Sequence, residues 1–225
     1  MRSLSVALLA LLATVPAVAK DLALHQRSTP SVPTAEVFDS IEYLTPSLRI
    51  VDGPHARIII DAKARNVTVL DKDTKTYWQT SFDSLRRQTA PLDKEREKAW
   101  DPELGAPVTL APTGATETIA GHPCEENLLQ GGTPAGSVCV AKDLESPLDP
   151  ALWKDWPGLG NRLGPIYKVT DALGPKRIAL RTVAQMRGKA RLTILVTSVA
   201  EASPPEGLTA IPPDYARAMR HSQER

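Results

Sequence analysis

Short strand-like segments separated by turn residues recur along this chain, and they constrain its fold more than any other feature. Between residues 49 and 78, β-branched runs alternate with turns at a spacing of about eight to twelve residues. Asp52-Gly53 is a strong hairpin signal. Val67 and Val69 fall on one face of an alternating segment. The pattern predicts an antiparallel meander.

Similar signals continue to the C-terminal part of the chain. Residues 81–98 are instead rich in helix formers with opposite charges three and four positions apart, and Pro91 is placed to begin a second helix there. Residues 147–163 predict a short helix and a loop. The predicted fold class is mostly β with a few helices (α+β). The other expected strands are residues 35–44, 108–110, 116–129, 137–142, 167–170, 177–183 and 191–199.

The first nineteen residues have the order of a cleavable signal peptide. Arg2 precedes an apolar run over residues 4–15, and the small residues Ala17 and Ala19 predict cleavage between Ala19 and Lys20. The alternative is a membrane anchor. A helix of about 12 residues spans only about 18 Å, which is short of the roughly 30 Å hydrocarbon core. We therefore expect an exported protein. The cleavage point carries no cysteine, so we do not expect a lipid anchor.

The remaining chain is long enough for one domain. Residues 20–35 are polar and carry Pro and Ser, which predicts a flexible lead-in. We expect a single domain over residues 36–216 and a polar tail over residues 217–225. The oligomeric state is left open by the sequence.

Charge and aromatic content limit the classes of partner. Without Arg2, the chain carries 26 basic and 26 acidic residues, so no net charge attracts nucleic acid or an anionic membrane surface. Aromatic residues make up 4% of the chain, too few to predict a stacking surface for bases or sugars. We expect neither nucleic acid binding nor a stable membrane span after cleavage.

Two cysteines, Cys124 and Cys139, lie on either side of a Gly-Gly-Thr-Pro-Ala-Gly turn. If the chain forms a hairpin there, the cysteines face each other on adjacent strands and form a disulfide. Closing a loop of about 16 residues is worth about 3 kcal/mol in the chain-entropy model. The alternative is a redox pair, but the close C-x-x-C spacing of such pairs is absent.

No pattern predicts a catalytic, metal or cofactor site. The histidines are scattered, and His122 with Cys124 offers two possible metal ligands without a second pair. Asp52 and Asp61 flank His55, which is the basis of a minority hypothesis of a hydrolase. Because no third group orients these side chains, we expect them to be solvated and the protein not to be an enzyme.

Trp153 and Trp156 lie on the predicted loop after the short helix. As exposed side chains they are candidate anchors for a protein partner, since Trp is favoured at binding hot spots. The alternative is that both cover the core, as most Trp side chains do.

Residues 113–126 carry the pattern T-G-x-T-x-x-I-x-G-x-x-C. This segment resembles the motif of an uncharacterised family of bacterial periplasmic proteins known only as a domain of unknown function. The resemblance spans roughly residues 36–216. Ala210 and Asp214 depart from the family's closing pattern, where Phe and Gly are expected. Other segments that fit it in order are residues 76–77, 138–143 and 207–215.

That family resembles the LolA/RseB-like lipoprotein-carrier superfamily. The resemblance implies a curved antiparallel sheet, or half-barrel, with helices over its open face. It also implies a non-catalytic carrier with an apolar groove for a lipid, an acyl chain or a lipoprotein or peptide segment. Pairs such as Val67/Val69, Ile178/Leu180 and Ile194/Val196 are able to line such a groove or to fill a closed core. The alternative function is an envelope protein-interaction module with a filled core.

Overall fold

The computed structural model describes residues 20–31, 35–87, 108–131, 135–156, 166–185 and 191–218. The predicted signal peptide, the second helix expected at Pro91 and the end of the polar tail lie outside these ranges. In the described part of the chain, no helix is both long and apolar enough to cross a membrane.

Twelve strands and three short helices make up the described structure. The helices are α1 (residues 82–87), α2 (Pro150–Trp153) and α3 (Ile166–Leu173). The strands are β1 (Leu22–Pro30), β2 (Phe38–Leu44), β3 (Leu48–Asp52), β4 (Ala56–Asp61), β5 (Asn66–Asp71), β6 (Thr76–Ser81), β7 (Thr109–Ile119), β8 (His122–Gln130), β9 (Ala135–Ala141), β10 (Ala179–Gln185), β11 (Arg191–Glu201) and β12 (Ala216–Arg217).

All twelve strands belong to one sheet, in the order β12-β6-β5-β4-β3-β2-β1-β11-β10-β9-β8-β7. Two meanders, β1–β6 and β7–β11, are joined where β1 pairs antiparallel with β11. The exception to the antiparallel pattern is β12, which runs parallel to β6 at one edge. The mostly-β prediction is confirmed, and the sheet is a single open one.

The sheet curls strongly. Twelve flat strands about 4.8 Å apart would separate the two edges by about 50 Å. Yet Trp78 on β6 and Ile119 on β7, near opposite edges, belong to one apolar cluster. A sheet that curls around its core allows both strands to pack against this shared cluster.

The β4–β5 and β5–β6 hairpins use the same turn chemistry. Asp61 Oδ1 accepts a hydrogen bond from the Ala64 amide at 2.7 Å, and Asp71 Oδ1 accepts one from the Thr74 amide at 2.9 Å. Each turn ends on a residue with positive φ, Arg65 in one and Lys75 in the other. An aspartate that bonds the backbone ahead of it closes such turns without glycine.

The expectation of a flexible lead-in over residues 20–35 is wrong. Residues 22–30 form β1, which pairs with β2 on one side and β11 on the other, in the middle of the sheet. Leu22 and Leu24 are buried in the main core. The alternation of Leu22 and Leu24 is a strand signal, but the polar residues around them make it difficult to recognise in the sequence.

Two other expectations are corrected. Residues 167–170 lie within α3 rather than in a strand. Residues 116–129 are not one strand but parts of β7 and β8, joined by a two-residue turn at Ala120 and Gly121. Both turn residues have positive φ, 51° and 85°, as a type I′ hairpin requires.

Buried apolar side chains form three clusters. The largest joins strands of both meanders with Phe82, Trp153 and Trp156. A second packs Val169 and Leu173 of α3 against β8 and β9. A third, around Ile50, Ile59 and Leu70, is covered by Leu208 and Tyr215 of the C-terminal segment. The last segment of the chain therefore covers β3–β5 before it reaches β6.

The predicted disulfide is present. Cys124 on β8 and Cys139 on β9 are bonded, with their Cα atoms 5.4 Å apart. The two strands pair antiparallel as one hairpin. Both cysteines are fully buried in the largest cluster. The bond therefore cross-links β8 to β9 within the second meander, and its sulfur atoms pack in the main core.

Replacing both cysteines with Ala is expected to lower the free energy of unfolding by about 3 kcal/mol, because the unfolded chain regains the entropy of the open loop. For a chain of this size the melting temperature should fall by about 6–12 °C. Thermal unfolding followed by circular dichroism measures this. An unchanged melting temperature would show that the cross-link does not restrain the unfolded chain.

Candidate functional site

A cavity of about 150 Å³ lies between α3 and one face of the sheet. Strands β1, β2, β3, β10 and β11 supply most of its wall, because β1 and β11 pair and bring the two meanders together. The wall is mainly apolar. The apolar side chains that define it are Leu24, Leu44, Leu148, Val169, Ile178 and Ile194.

One part of the wall is charged. Arg49 Nε donates to Glu42 Oε1 at 2.5 Å, and Gln26 Nε2 donates to Glu42 Oε2 at 2.7 Å. The Glu42 and Arg49 side chains are only 8% and 15% exposed. A buried carboxylate is tolerated where each oxygen has a donor and an opposite charge lies beside it. We call Gln26, Glu42 and Arg49 the polar cluster.

The polar cluster is built on adjacent strands. Glu42 on β2 pairs with Leu24 on β1, and Leu44 pairs with Arg49 on β3. The residues at positions 40, 42 and 44 are the buried ones of β2, and the apolar Ile41 lies on the other face. Sequence reasoning missed this site. The signal in the sequence was that the charged Glu42 shares a face of the strand with Leu44 and not with Ile41.

Arg177 fixes the end of α3 at the cavity rim. Its guanidinium donates to the Leu173 carbonyl and to the Ala172 carbonyl, both at 2.6 Å. These are carbonyls of the last helical turn, which lack partners within the helix. Val169 and Leu173 pack into the second cluster. The helix wall of the cavity is thus held by packing and by one cation at its C-terminus.

The residues of the hydrolase hypothesis are not brought together. Asp52 bonds Arg57 Nε and Lys72 Nζ, each at 2.8 Å. His55 contacts Asp73, with Nδ1 3.0 Å from its Oδ2. Asp61 caps the turn at the opposite end of β4. Each of the three has a structural role.

Asp52 has a shifted pKa. Partial burial raises the pKa, but the hydrogen bonds from Arg57 and Lys72 together with their positive charges lower it by more. The pKa therefore lies below the usual value of 3.8. The charged carboxylate is favoured in the folded state, which is expected of a structural ion pair between two cations.

This shift predicts a pH dependence of stability. A lowered folded-state pKa contributes stability above pH 3.8, and that contribution is lost as the pH falls through the folded value. Asp52→Asn should therefore reduce the loss of stability in acid. Urea unfolding at several pH values between about 2 and 5 measures the slope. Equal slopes for both proteins would contradict the assignment.

Trp153 and Trp156 are buried rather than exposed, at 4% and 5% exposure. They pack edge to face at 5.8 Å, and Phe82 packs on Trp156 at 5.7 Å. Trp153 Nε1 donates to the Pro46 carbonyl. The expectation of partner anchors at these positions is therefore wrong, and the alternative that they cover the core fits their burial.

His122 does not pair with Cys124 as metal ligands. Its Nδ1 lies 3.0 Å from Asp143 Oδ2, and Cys124 is in the disulfide. Glu117 lies close to both cysteines, but its carboxylate accepts a hydrogen bond from Arg181 at 2.8 Å. Sulfur atoms in a disulfide are not thiolate ligands, so this group is a structural one.

Comparison with known proteins identifies the family. A family model described as Domain of unknown function (DUF4412) matches residues 41–215. The chain belongs to this family. The match includes all of β3–β11, and therefore most of the cavity wall. A search of curated proteins gave no match.

One solved structure shows a similar fold at low sequence identity. An uncharacterized conserved protein from Thermus thermophilus superposes with a TM-score of 0.51 at 11% identity, covering 89% of this chain and 91% of that one. PNGF-II in a C2 space group gives a TM-score of 0.45 at 12% identity. This chain covers 30% of that structure. The first likeness shows a shared fold and does not extend to function.

Proposed function

We propose that this DUF4412 protein is an exported, non-catalytic binding protein that takes an apolar group of a lipid, an acyl chain or a lipoprotein segment into the cavity beneath α3. The observation that carries the proposal is the cavity itself. It is lined mainly by apolar side chains and bordered by one set of bonded polar groups. That combination is typical of ligand sites, where apolar walls give affinity and a few polar groups orient the ligand.

The size of the cavity restricts the ligand. An apolar cavity of about 150 Å³ in another protein accommodates benzene or xenon. The same volume here suits one short alkyl group rather than a whole lipid. We therefore place the end of one chain in the cavity and the rest of the ligand outside it.

The same proposal includes where the protein is located in the cell and its relation to the carrier superfamily. The buried disulfide is consistent with an oxidising environment outside the cytoplasm. The proposed signal peptide adds to this and leads us to propose the periplasm. An open curled sheet with a helix beside its cavity supports kinship with the LolA/RseB-like carriers.

The second candidate is an envelope protein-interaction module with a filled core. The packing of Phe82, Trp153 and Trp156 favours it, because these large side chains occupy the main core. A hydrolase has less support, since Asp52, His55 and Asp61 are engaged in separate structural contacts.

Native mass spectrometry of the protein exported by its own host distinguishes the two candidates. A binding protein should carry a co-purifying alkyl compound or should bind a fluorescent fatty acid. Ile194 lines the cavity, so Ile194→Trp should abolish that binding. Ser198→Trp on the same strand, at an exposed position, is the matched control. Protein free of ligand that also ignores the probe would favour the interaction module.

A further inference from the structure

We propose that the cavity selects ligands whose polar head is uncharged, an amide or an alcohol, over carboxylates and amines. This inference rests on the proposed binding function and names the chemical class of its ligand. It follows from the bonding of the polar cluster, and from what that bonding leaves available to a ligand.

The two charges of the polar cluster neutralise each other. Glu42 and Arg49 are both largely buried, and both oxygens of the Glu42 carboxylate already accept a hydrogen bond. The carboxylate therefore has its charge partner and a donor on each oxygen. A ligand meets a wall with no net charge at this point.

A ligand head group with a positive or a negative charge is unfavourable beside the polar cluster. A carboxylate near the cluster is repelled by Glu42, and an ammonium group is repelled by Arg49. Because Arg49 and Glu42 are joined at 2.5 Å, a charged head that approaches its attractive partner also meets the like charge beside it. Burying a charge without a partner is much more costly than burying an uncharged polar group.

An uncharged head finds a partner in Gln26. Its amide nitrogen donates to Glu42, and this leaves its carbonyl oxygen as an acceptor on a residue that lines the cavity. The N–H of an amide or the O–H of an alcohol is the complementary donor. Ser146, Thr170 and Thr182 add further uncharged polar side chains to the wall.

Among the described residues that line the cavity, Arg177 is the other cation, and it offers the competing possibility of an anionic head at the rim. Its guanidinium already bonds two carbonyls of the last turn of α3. Its side chain is exposed to solvent, where an ion pair is weak and screened by salt. We therefore expect it to hold the helix rather than the ligand.

The test compares four probes that each contain six carbon atoms: hexanamide, hexanol, hexanoate and hexylamine. Each is titrated into the full mature chain at pH 7, where the last two carry opposite charges, and binding is followed by NMR chemical shifts. For ligands this small we expect dissociation constants of about a millimolar. Hexanamide and hexanol should bind about tenfold more tightly than either charged probe.

The outcomes separate this inference from the function on which it rests. If none of the four probes binds, the proposed binding function fails. If hexanoate binds at least as tightly as hexanamide and loses affinity in Arg177→Gln, the ligand is anionic and the selection for an uncharged head is wrong. Tightest binding of hexylamine would equally contradict it.

A variant locates the head group. Gln26→Leu removes the acceptor and frees Glu42 Oε2, so hexanamide should lose affinity about tenfold while hexylamine gains relative to it. The control is Gln79→Leu, since Gln79 bonds Thr68 at 2.9 Å and lies outside the cavity wall. The same ranking of probes in wild type and Gln26→Leu would overturn the assignment of the head to this residue.

Discussion

Replacing Arg49 with Met is expected to lower the free energy of unfolding by about 3–5 kcal/mol, the largest single effect that the structure predicts. The substitution leaves the Glu42 carboxylate buried, with Gln26 as its remaining donor. A buried charge without its counter-charge is destabilising well beyond the lost hydrogen bond. Urea unfolding of both proteins at pH 7 measures the difference.

A matched pair on neighbouring strands provides the control. Arg27 on β1 bonds Asp39 on β2 at 2.8 Å, but these side chains are 56% and 67% exposed. Arg27→Met should therefore change stability by less than about 1 kcal/mol. Combining Arg49→Met with Glu42→Leu should restore much of the loss, because both charges are then removed. If Arg49→Met and Arg27→Met lower the free energy of unfolding equally, the Glu42–Arg49 pair is not buried as described.

Replacing Gly136 with Ala is expected to destabilise the protein by about 3 kcal/mol or more. Gly136 is the second residue of β9, pairs with Ala184 of β10 and has a φ of 140°. A Cβ atom there would lie 1.9 Å from the Val183 carbonyl oxygen and 2.9 Å from its carbonyl carbon. Because the obstacle is backbone, the two strands must separate before any side chain fits.

Gly53→Ala is the control for this substitution. A Cβ at Gly53 would meet its nearest neighbour, the Ala56 carbonyl oxygen, at 3.6 Å, an ordinary contact. We expect its stability to stay within about 0.5 kcal/mol of wild type. Thermal unfolding of the two variants side by side tests the contrast. A Gly136→Ala protein as stable as Gly53→Ala would mean that β9 and β10 are not so closely paired.

Local features of this fold were predictable from the sequence. The β3–β6 meander follows from alternation and turn residues, which act over a few positions. The disulfide follows from two cysteines placed evenly about a glycine-rich turn. Here the sequence neighbours are also the spatial neighbours, so local rules are sufficient.

The other features of the fold depend on contacts between segments that are far apart in the sequence. β1 is stabilised between β2 and β11, the latter about 170 residues away in sequence, and its own sequence reads as a polar segment. Residues 167–170 contain β-branched residues, which favour a strand. The segment is nevertheless helical, and Val169 and Leu173 of this helix pack against β8 and β9. The cavity was equally hidden, because five strands from two meanders build it.

The buried face of β2 shows the limit most clearly. Alternation identifies two faces but not which one faces the core. Ile41 and Tyr43 lie on the face opposite to Ser40, Glu42 and Leu44, and the latter set is the more buried. A rule that buries the more apolar set assigns this strand the wrong way round. The polar cluster was missed for this reason.

A crystal of the protein under xenon pressure tests the central claim most directly, since xenon occupies apolar cavities without needing a polar partner. We expect one strong xenon site beneath α3, in contact with Leu24, Val169 and Ile194, and its loss in Ile194→Trp. A wild-type crystal with no xenon between α3 and the sheet, and with side chains filling that space, would contradict it.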